Sequence, residues 1–148
     1  MLRQTFKPAW AVAALTSVIL MLQAFSVGGV DVFEIYLNNK LLFQQAANKP
    51  FTLQSLQLDK RNINDELVIY YNHCGESGRQ RSIAIRDDKG NTLKEWKFTD
   101  ASEVRSAMRI PVKELLQLDK NYAHSSLTIF YSAKQLPKGL NLSALKLS

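Results

Sequence analysis

The segment SIAIRDDKGNTLKEWKF, residues 82–98, decides the fold class of this chain. Ile83 and Ile85 alternate with smaller or polar residues, and Trp96 and Phe98 alternate in the same way after the intervening DDKGN. Apolar side chains at every second position indicate strands with one buried face, whereas a helix repeats them every three or four residues. Asp, Gly and Asn favour the tight turn that joins two antiparallel strands. Residues 82–98 therefore predict a β-hairpin.

The same two-residue period runs through most of the chain. Phe33, Ile35 and Leu37 share one face of a strand, and Asn38-Asn39 favours a turn into a return strand at 41–43. Further segments alternate in the same way: 51–57, 66–72, 107–112, 126–132 and 140–147. The chain is therefore expected to be mostly β.

A single segment has a helical pattern. Pro111 suits the first turn of a helix, and Leu115 and Leu118 are three residues apart. We therefore predict an all-β chain: an antiparallel β-sandwich of eight or nine strands, jelly-roll or immunoglobulin-like, with one short helix near 112–118.

An internal similarity at an offset of 60 residues adds organisation to this sandwich. The sequence Leu-Gln-Leu-Asp-Lys at 56–60 recurs at 116–120, and the alternating LVIYY at 67–71 recurs as LTIFY at 127–131. Two copies of one unit would bury their apolar faces against each other. The repeat therefore predicts approximate two-fold symmetry within the sandwich.

The first 26 residues have the three-part pattern of a signal peptide. Arg3 and Lys7 form a basic start, a mostly apolar run follows, and small residues at Ala24 and Ser26 suit a signal peptidase. We expect cleavage after Ser26, with cleavage after Gly28 as the alternative. An uncleaved leader would instead be an N-terminal membrane anchor. Either outcome predicts export, to the periplasm or the extracellular space.

Composition limits the remaining chain, residues 27–148, to one ordinary globular domain. A single cysteine excludes an internal disulfide framework. Two of the 19 basic residues leave with the leader, so 17 remain beside 13 acidic residues, a difference of +4. These basic residues are dispersed among acidic ones, which argues against a nucleic-acid-binding surface.

The segment NHCGESGR, residues 72–79, is where the second copy of the repeat departs from the first. Its two glycines predict a flexible loop that can approach a ligand closely. The candidate binding residues are His73, Cys74, Gly75, Glu76, Gly78 and Arg79.

Cysteine and histidine in this loop also allow metal or thiol chemistry. Thiolate and imidazole are ligands for copper and zinc, and a nearby cation can activate a thiol. His73 and Cys74 are adjacent and would point to opposite faces of a strand, so a partner such as His124 would be needed. A copper- or zinc-handling or thiol-redox protein is therefore the alternative function.

No catalytic motif stands out elsewhere in the chain. There is no glycine-rich phosphate loop, no nucleophile elbow and no histidine pair at helical spacing. We therefore expect a non-enzymatic module without a cofactor, which binds an envelope protein or polysaccharide. An unpaired thiol in an oxidising space also predicts a disulfide-linked dimer through Cys74.

Three segments resemble small uncharacterised exported bacterial proteins: YNHCG at 71–75, KEWKF at 94–98 and YSAKQLP at 131–137. The resemblance covers most of the chain after the leader. It implies export, but no site, cofactor or reaction.

Overall fold

The computed structural model describes residues 29–122 and 125–148. The predicted leader and His124 lie outside the described residues. Within those ranges, no helix is long and apolar enough to cross a membrane.

Nine strands form two packed sheets in the described part of the chain. The strands are β1 (Val32–Leu37), β2 (Lys40–Ala46), β3 (Ser55–Leu58), β4 (Glu66–Asn72), β5 (Ser82–Arg86), β6 (Thr92–Lys97), β7 (Met108–Pro111), β8 (Leu127–Ala133) and β9 (Leu136–Leu147). One sheet has the order β2-β1-β4-β7, and the other has the order β3-β9-β8-β5-β6. The predicted all-β sandwich is confirmed.

Both predicted hairpins are present, and local chemistry explains their turns. β1 turns into β2 at Asn38, whose φ of 54° lies in the left-handed region that asparagine tolerates. β5 turns into β6 over the Asp87 side chain, which accepts backbone N–H bonds from Lys89 and Asn91. Ile83 and Ile85 are fully buried, as their alternation predicts.

The strand order corresponds to the immunoglobulin-like alternative. β1, β4 and β7 take the places of strands A, B and E, while β5, β8 and β9 take those of C, F and G. β2 is an added edge strand beside β1. One pair corrects the expectation of a purely antiparallel sandwich, because β3 pairs with β9 in parallel.

The repeated segments meet in the core at β4 and β8. Tyr71 and Tyr131 stack across the sandwich with ring centroids 4.3 Å apart. The preceding copies of Leu-Gln-Leu-Asp-Lys differ in structure. The first forms β3, and the second lies in a helical connection.

The predicted helix near 112–118 is present as α1 (Val112–Leu116), and a second short turn, α2 (Asp119–Tyr122), follows it. Val112 and Leu115 are fully buried, so α1 closes one end of the core. Glu114 accepts a hydrogen bond from the Trp96 indole, which ties α1 to β6.

Candidate functional site

The predicted binding segment lies at one end of the sandwich, together with two other loops. β4 and β8 both end there, while β5 and β7 begin there. We call residues 73–81, 98–107 and 134–135 the loop end. In immunoglobulin variable domains, ligand-binding loops cluster at one such end.

Residues 73–76 form a tight turn. Cys74 and Gly75 both have positive φ, 55° and 88°, and the Glu76 N–H donates to the His73 carbonyl at 3.0 Å. Two successive positive φ angles characterise a type I′ turn. The Asn72 side chain also stabilises the turn, because its Oδ1 accepts a hydrogen bond from the Gly75 N–H at 3.0 Å. Cys74, Gly75 and Glu76 are therefore exposed at its tip.

His73 points the other way, into the core, where it is only 4% exposed. Its Nε2 lies 2.7 Å from the Tyr131 hydroxyl, and its Nδ1 lies 3.6 Å from Asp31 Oδ2. The same carboxylate oxygen accepts a bond from the Tyr71 hydroxyl at 3.1 Å. His73 is thus part of a buried polar cluster rather than of the exposed surface.

Burial dominates the protonation of this cluster. It lowers the pKa of His73, although the charges of Asp31 and Glu76 act in the opposite direction. Burial likewise raises the pKa of Tyr71 and of Tyr131 well above that of a free phenol. The cluster therefore favours a neutral imidazole beside two stacked, neutral phenols.

Hydrogen bonds join the turn segment to the β8–β9 connection. The Gln135 side chain accepts the Arg79 N–H at 3.1 Å and donates to the Ser77 carbonyl at 2.7 Å. The Lys134 N–H donates to the Arg79 carbonyl at 2.8 Å. Residues 77–79 of the segment predicted as a flexible loop are therefore held by the β8–β9 connection.

Arg81 anchors the loop between β6 and β7, residues 98–107, to the start of β5. Its side chain is nearly buried, at 5% exposure, with Nε and Nη2 donating to the Thr99 carbonyl and Nη1 donating to that of Ser106. Burial lowers the pKa of this guanidinium. Gly78 makes room for it, because a Cβ on that residue would stand 2.8 Å from Arg81 Cδ.

Two open polar clefts flank Arg81. One, of about 560 Å³, is floored by the hydrogen-bonded hydroxyls of Ser82 and Ser132. The other, of about 410 Å³, lies under residues 99–107 and is bordered by Arg105. Both contain acidic as well as basic side chains, so they suit a polar partner of mixed charge.

The structure separates the residues considered for metal or thiol chemistry. His73 is buried and Cys74 is exposed, with the Gly29 backbone lying against its sulfur. Within residues 29–122 and 125–148, no three His, Cys, Asp or Glu side chains are grouped closely enough to hold a metal ion. The disulfide-linked dimer through Cys74 stays a prediction.

Arg81, Gln135 and Asp100 belong to the loop end, and sequence reasoning missed all three. Asp100 Oδ1 accepts the Gln80 N–H at 2.9 Å, and the other two act as described above. A signal for Arg81 was present, because it has the same parity as Ile83 and Ile85 and so lies on the inward face of the strand. Nothing local marks Gln135 or Asp100, whose partners come from other loops.

Comparison with known proteins assigns no family. No protein-family model matches the chain, and no curated protein matches it.

Proposed function

We propose that this chain is an exported, non-enzymatic, immunoglobulin-like module that binds an envelope protein or polysaccharide through its loop end. The observation that carries the proposal is the joining of three loops into one surface. Gln135 ties residues 77–79 to the β8–β9 connection, and Arg81 ties residues 99–106 to β5. A surface ordered before binding loses less conformational entropy when a partner docks.

The exposed side chains support a polar partner. Glu76, Arg79 and Lys134 stand exposed on neighbouring loops, and the two clefts beside them contain both signs of charge. Mixed, exposed charges favour specificity and rapid encounter more than tight apolar association.

The binding test uses two charge-matched triple variants. Glu76→Ala/Arg79→Ala/Lys134→Ala removes one acidic and two basic side chains from the loop end. Asp88→Ala/Lys89→Ala/Lys120→Ala removes the same charges from exposed positions at the opposite end. Wild type and both variants are immobilised, then probed with purified envelope polysaccharides and with detergent-solubilised envelope proteins.

We expect binding to fall at least about tenfold in the loop-end variant and to be unchanged in the opposite-end variant. Equal losses in both variants, or retention in both, would overturn the loop end as the binding surface. Circular dichroism and thermal unfolding check that both variants are folded.

Export is tested separately by the intact mass of protein secreted through its own leader. We expect a chain that begins at Val27, or at Gly29 if cleavage follows Gly28. A mass that includes the leader would replace the secreted module with a membrane-anchored one.

A further inference from the structure

Among the residues that the structure describes, the sandwich has four edge strands, and they differ in how they are protected against pairing. β6 carries Lys94, Glu95 and Lys97, and β7 is four residues long and ends at Pro111. β3 is also only four residues long. Short length, charge and proline are common protections against edge-to-edge pairing. Three of the four edges therefore carry one of them.

The fourth edge, β2, is seven residues long and lacks charge over most of its length. Its sequence is KLLFQQA, and no charged side chain occurs from Leu41 to Asn48. Leu41 is 44% exposed, and Gln44 is exposed. A register shift opposite Ile35 and Tyr36 disturbs the first part of the strand, but Phe43–Ala46 pairs regularly with β1. The regular part is therefore open to a further strand.

The ladder with β1 fixes which backbone groups are free. The Ala47 N–H donates to the Asp31 carbonyl at 2.8 Å, so Ala47, Gln45 and Phe43 direct their backbone groups towards β1. Because bonding alternates along an antiparallel strand, the N–H and C=O groups of Gln44 and Ala46 point to the open edge, where the Ala46 carbonyl accepts one long bond, of 3.5 Å, from Gln45 Nε2. These groups can pair with an incoming strand without disturbing the fold.

We propose that β2 pairs antiparallel with β2 of a second copy of this chain, which joins the two four-stranded sheets into one sheet of eight strands across a two-fold axis. Gln44 of each copy would pair with Ala46 of the other. An isologous contact places a surface against itself, so it tolerates an uncharged strand and rejects a like-charged one. Of the four edges, only β2 combines a length of seven residues with a run free of charge, from Leu41 to its end.

The pairing predicts how the stability of the dimer depends on ionic strength. Lys40 and Lys49 flank the neutral segment at its two ends. Antiparallel pairing brings Lys40 of one copy towards Lys49 of the other, so added salt should strengthen the dimer by screening them.

The test measures sedimentation of the exported protein over a concentration series, in a Cys74→Ser background that removes any disulfide. We expect a reversible dimer whose dissociation constant rises at least about tenfold in Gln44→Pro, because proline removes an N–H that the fold does not use. Glu95→Pro, on the open edge of β6, is the matched control and should leave the dimer intact. Monomer at all concentrations, or a dimer that resists Gln44→Pro or dissociates with Glu95→Pro, overturns the proposal.

A second pair of variants keeps the test decisive if Gln44→Pro fails to fold. Ala46→Lys and Ala46→Glu each place like charges diagonally across the proposed two-fold axis, so each alone should weaken the dimer. An equimolar mixture should restore it as a heterodimer, because opposite charges then face each other. Failure of the mixture to associate better than either variant alone would contradict pairing at β2.

Discussion

Cys74 illustrates how one backbone angle decides the role of a residue. It lies at the first central position of the turn 73–76 with a φ of 55°, a conformation that most side chains disfavour. The geometry exposes the thiol and turns the neighbouring imidazole inward. Sequence parity predicts this opposition between residues 73 and 74, but not which of the two is buried.

Replacing Cys74 with asparagine should stabilise the domain. Asn-Gly is the favoured pair for a type I′ turn, so we expect Cys74→Asn to raise the free energy of unfolding by about 0.5–1 kcal/mol. Gly75→Ala, at a φ of 88°, should lower it by about 1 kcal/mol. Urea unfolding measures both changes. A loss of stability in Cys74→Asn would show that the thiol has favourable contacts that asparagine cannot make.

His73 should make the domain sensitive to mild acid. Burial lowers its pKa in the folded state, so the unfolded chain binds a proton more readily. Stability should therefore fall as the pH drops through about 6.5, the ordinary histidine value, and continue to fall until the folded pKa is reached. The neighbouring charges are Asp31 and Glu76, which raise the pKa, and Arg81, which lowers it.

The measurement is urea unfolding of wild type and His73→Gln between pH 5 and pH 8. Glutamine keeps a polar group near Tyr131 but does not titrate, so the variant should lose this part of the pH dependence. His124 is present in both proteins, and its contribution cancels in the comparison. Parallel stability curves for the two proteins would contradict a folded-state pKa below the ordinary value.

At the scale of elements, the loop end depends on one inward-facing arginine. Arg81 directly precedes β5 and has the same parity as Ile83, yet its guanidinium reaches carbonyl groups in the 98–107 loop. Alternation along the strand is a local property and can be read from the sequence. The hydrogen-bond partners of Arg81 at Thr99 and Ser106 cannot be predicted in this way, because they belong to a loop without periodicity.

Arg81→Met should loosen that loop without changing the sheets. The substitution removes the three hydrogen bonds to Thr99 and Ser106, and we expect a loss of about 1–3 kcal/mol in stability. Amide hydrogen exchange in residues 98–107 should become faster, while that of β4 and β8 changes far less. Arg86→Met, at the other end of β5 and with its guanidinium over the Phe130 ring, is the control. If hydrogen exchange in residues 98–107 became equally faster in both variants, the hydrogen bonds of Arg81 would not be what orders this loop.

For the whole molecule, the sequence predicts most of the sandwich but not its connections. Alternating apolar residues are a local pattern, which the sequence shows directly. They occur at 82–98, 67–71 and 127–131, and each of these segments forms a strand or hairpin. The parallel pairing of β3 with β9 joins segments far apart in the chain, and no local pattern indicates it. The second copy of Leu-Gln-Leu-Asp-Lys likewise becomes helical because of its surroundings, since identical residues form a strand at 56–58.

The repeat leads to a prediction about energetic symmetry. Ile69 and Ile129 occupy equivalent places on the two central strands, and both are fully buried. Ile69→Val and Ile129→Val should each cost about 1 kcal/mol, whereas Ile63→Val, at a residue 49% exposed, should be nearly neutral. Thermal unfolding of the three variants measures this. A cost at one core position more than twice that at the other would show that the two halves pack unequally.

The position of β9 determines when the domain can finish folding. β9 is the last strand in chain order, yet it lies inside its sheet, bonded to β8 on one side and to β3 on the other. β3 therefore has no partner until the final strand has been synthesised and delivered, and contacts of such long sequence separation form slowly. For the exported chain proposed above, the five-stranded sheet can therefore be completed only after residues 136–147 have crossed the membrane.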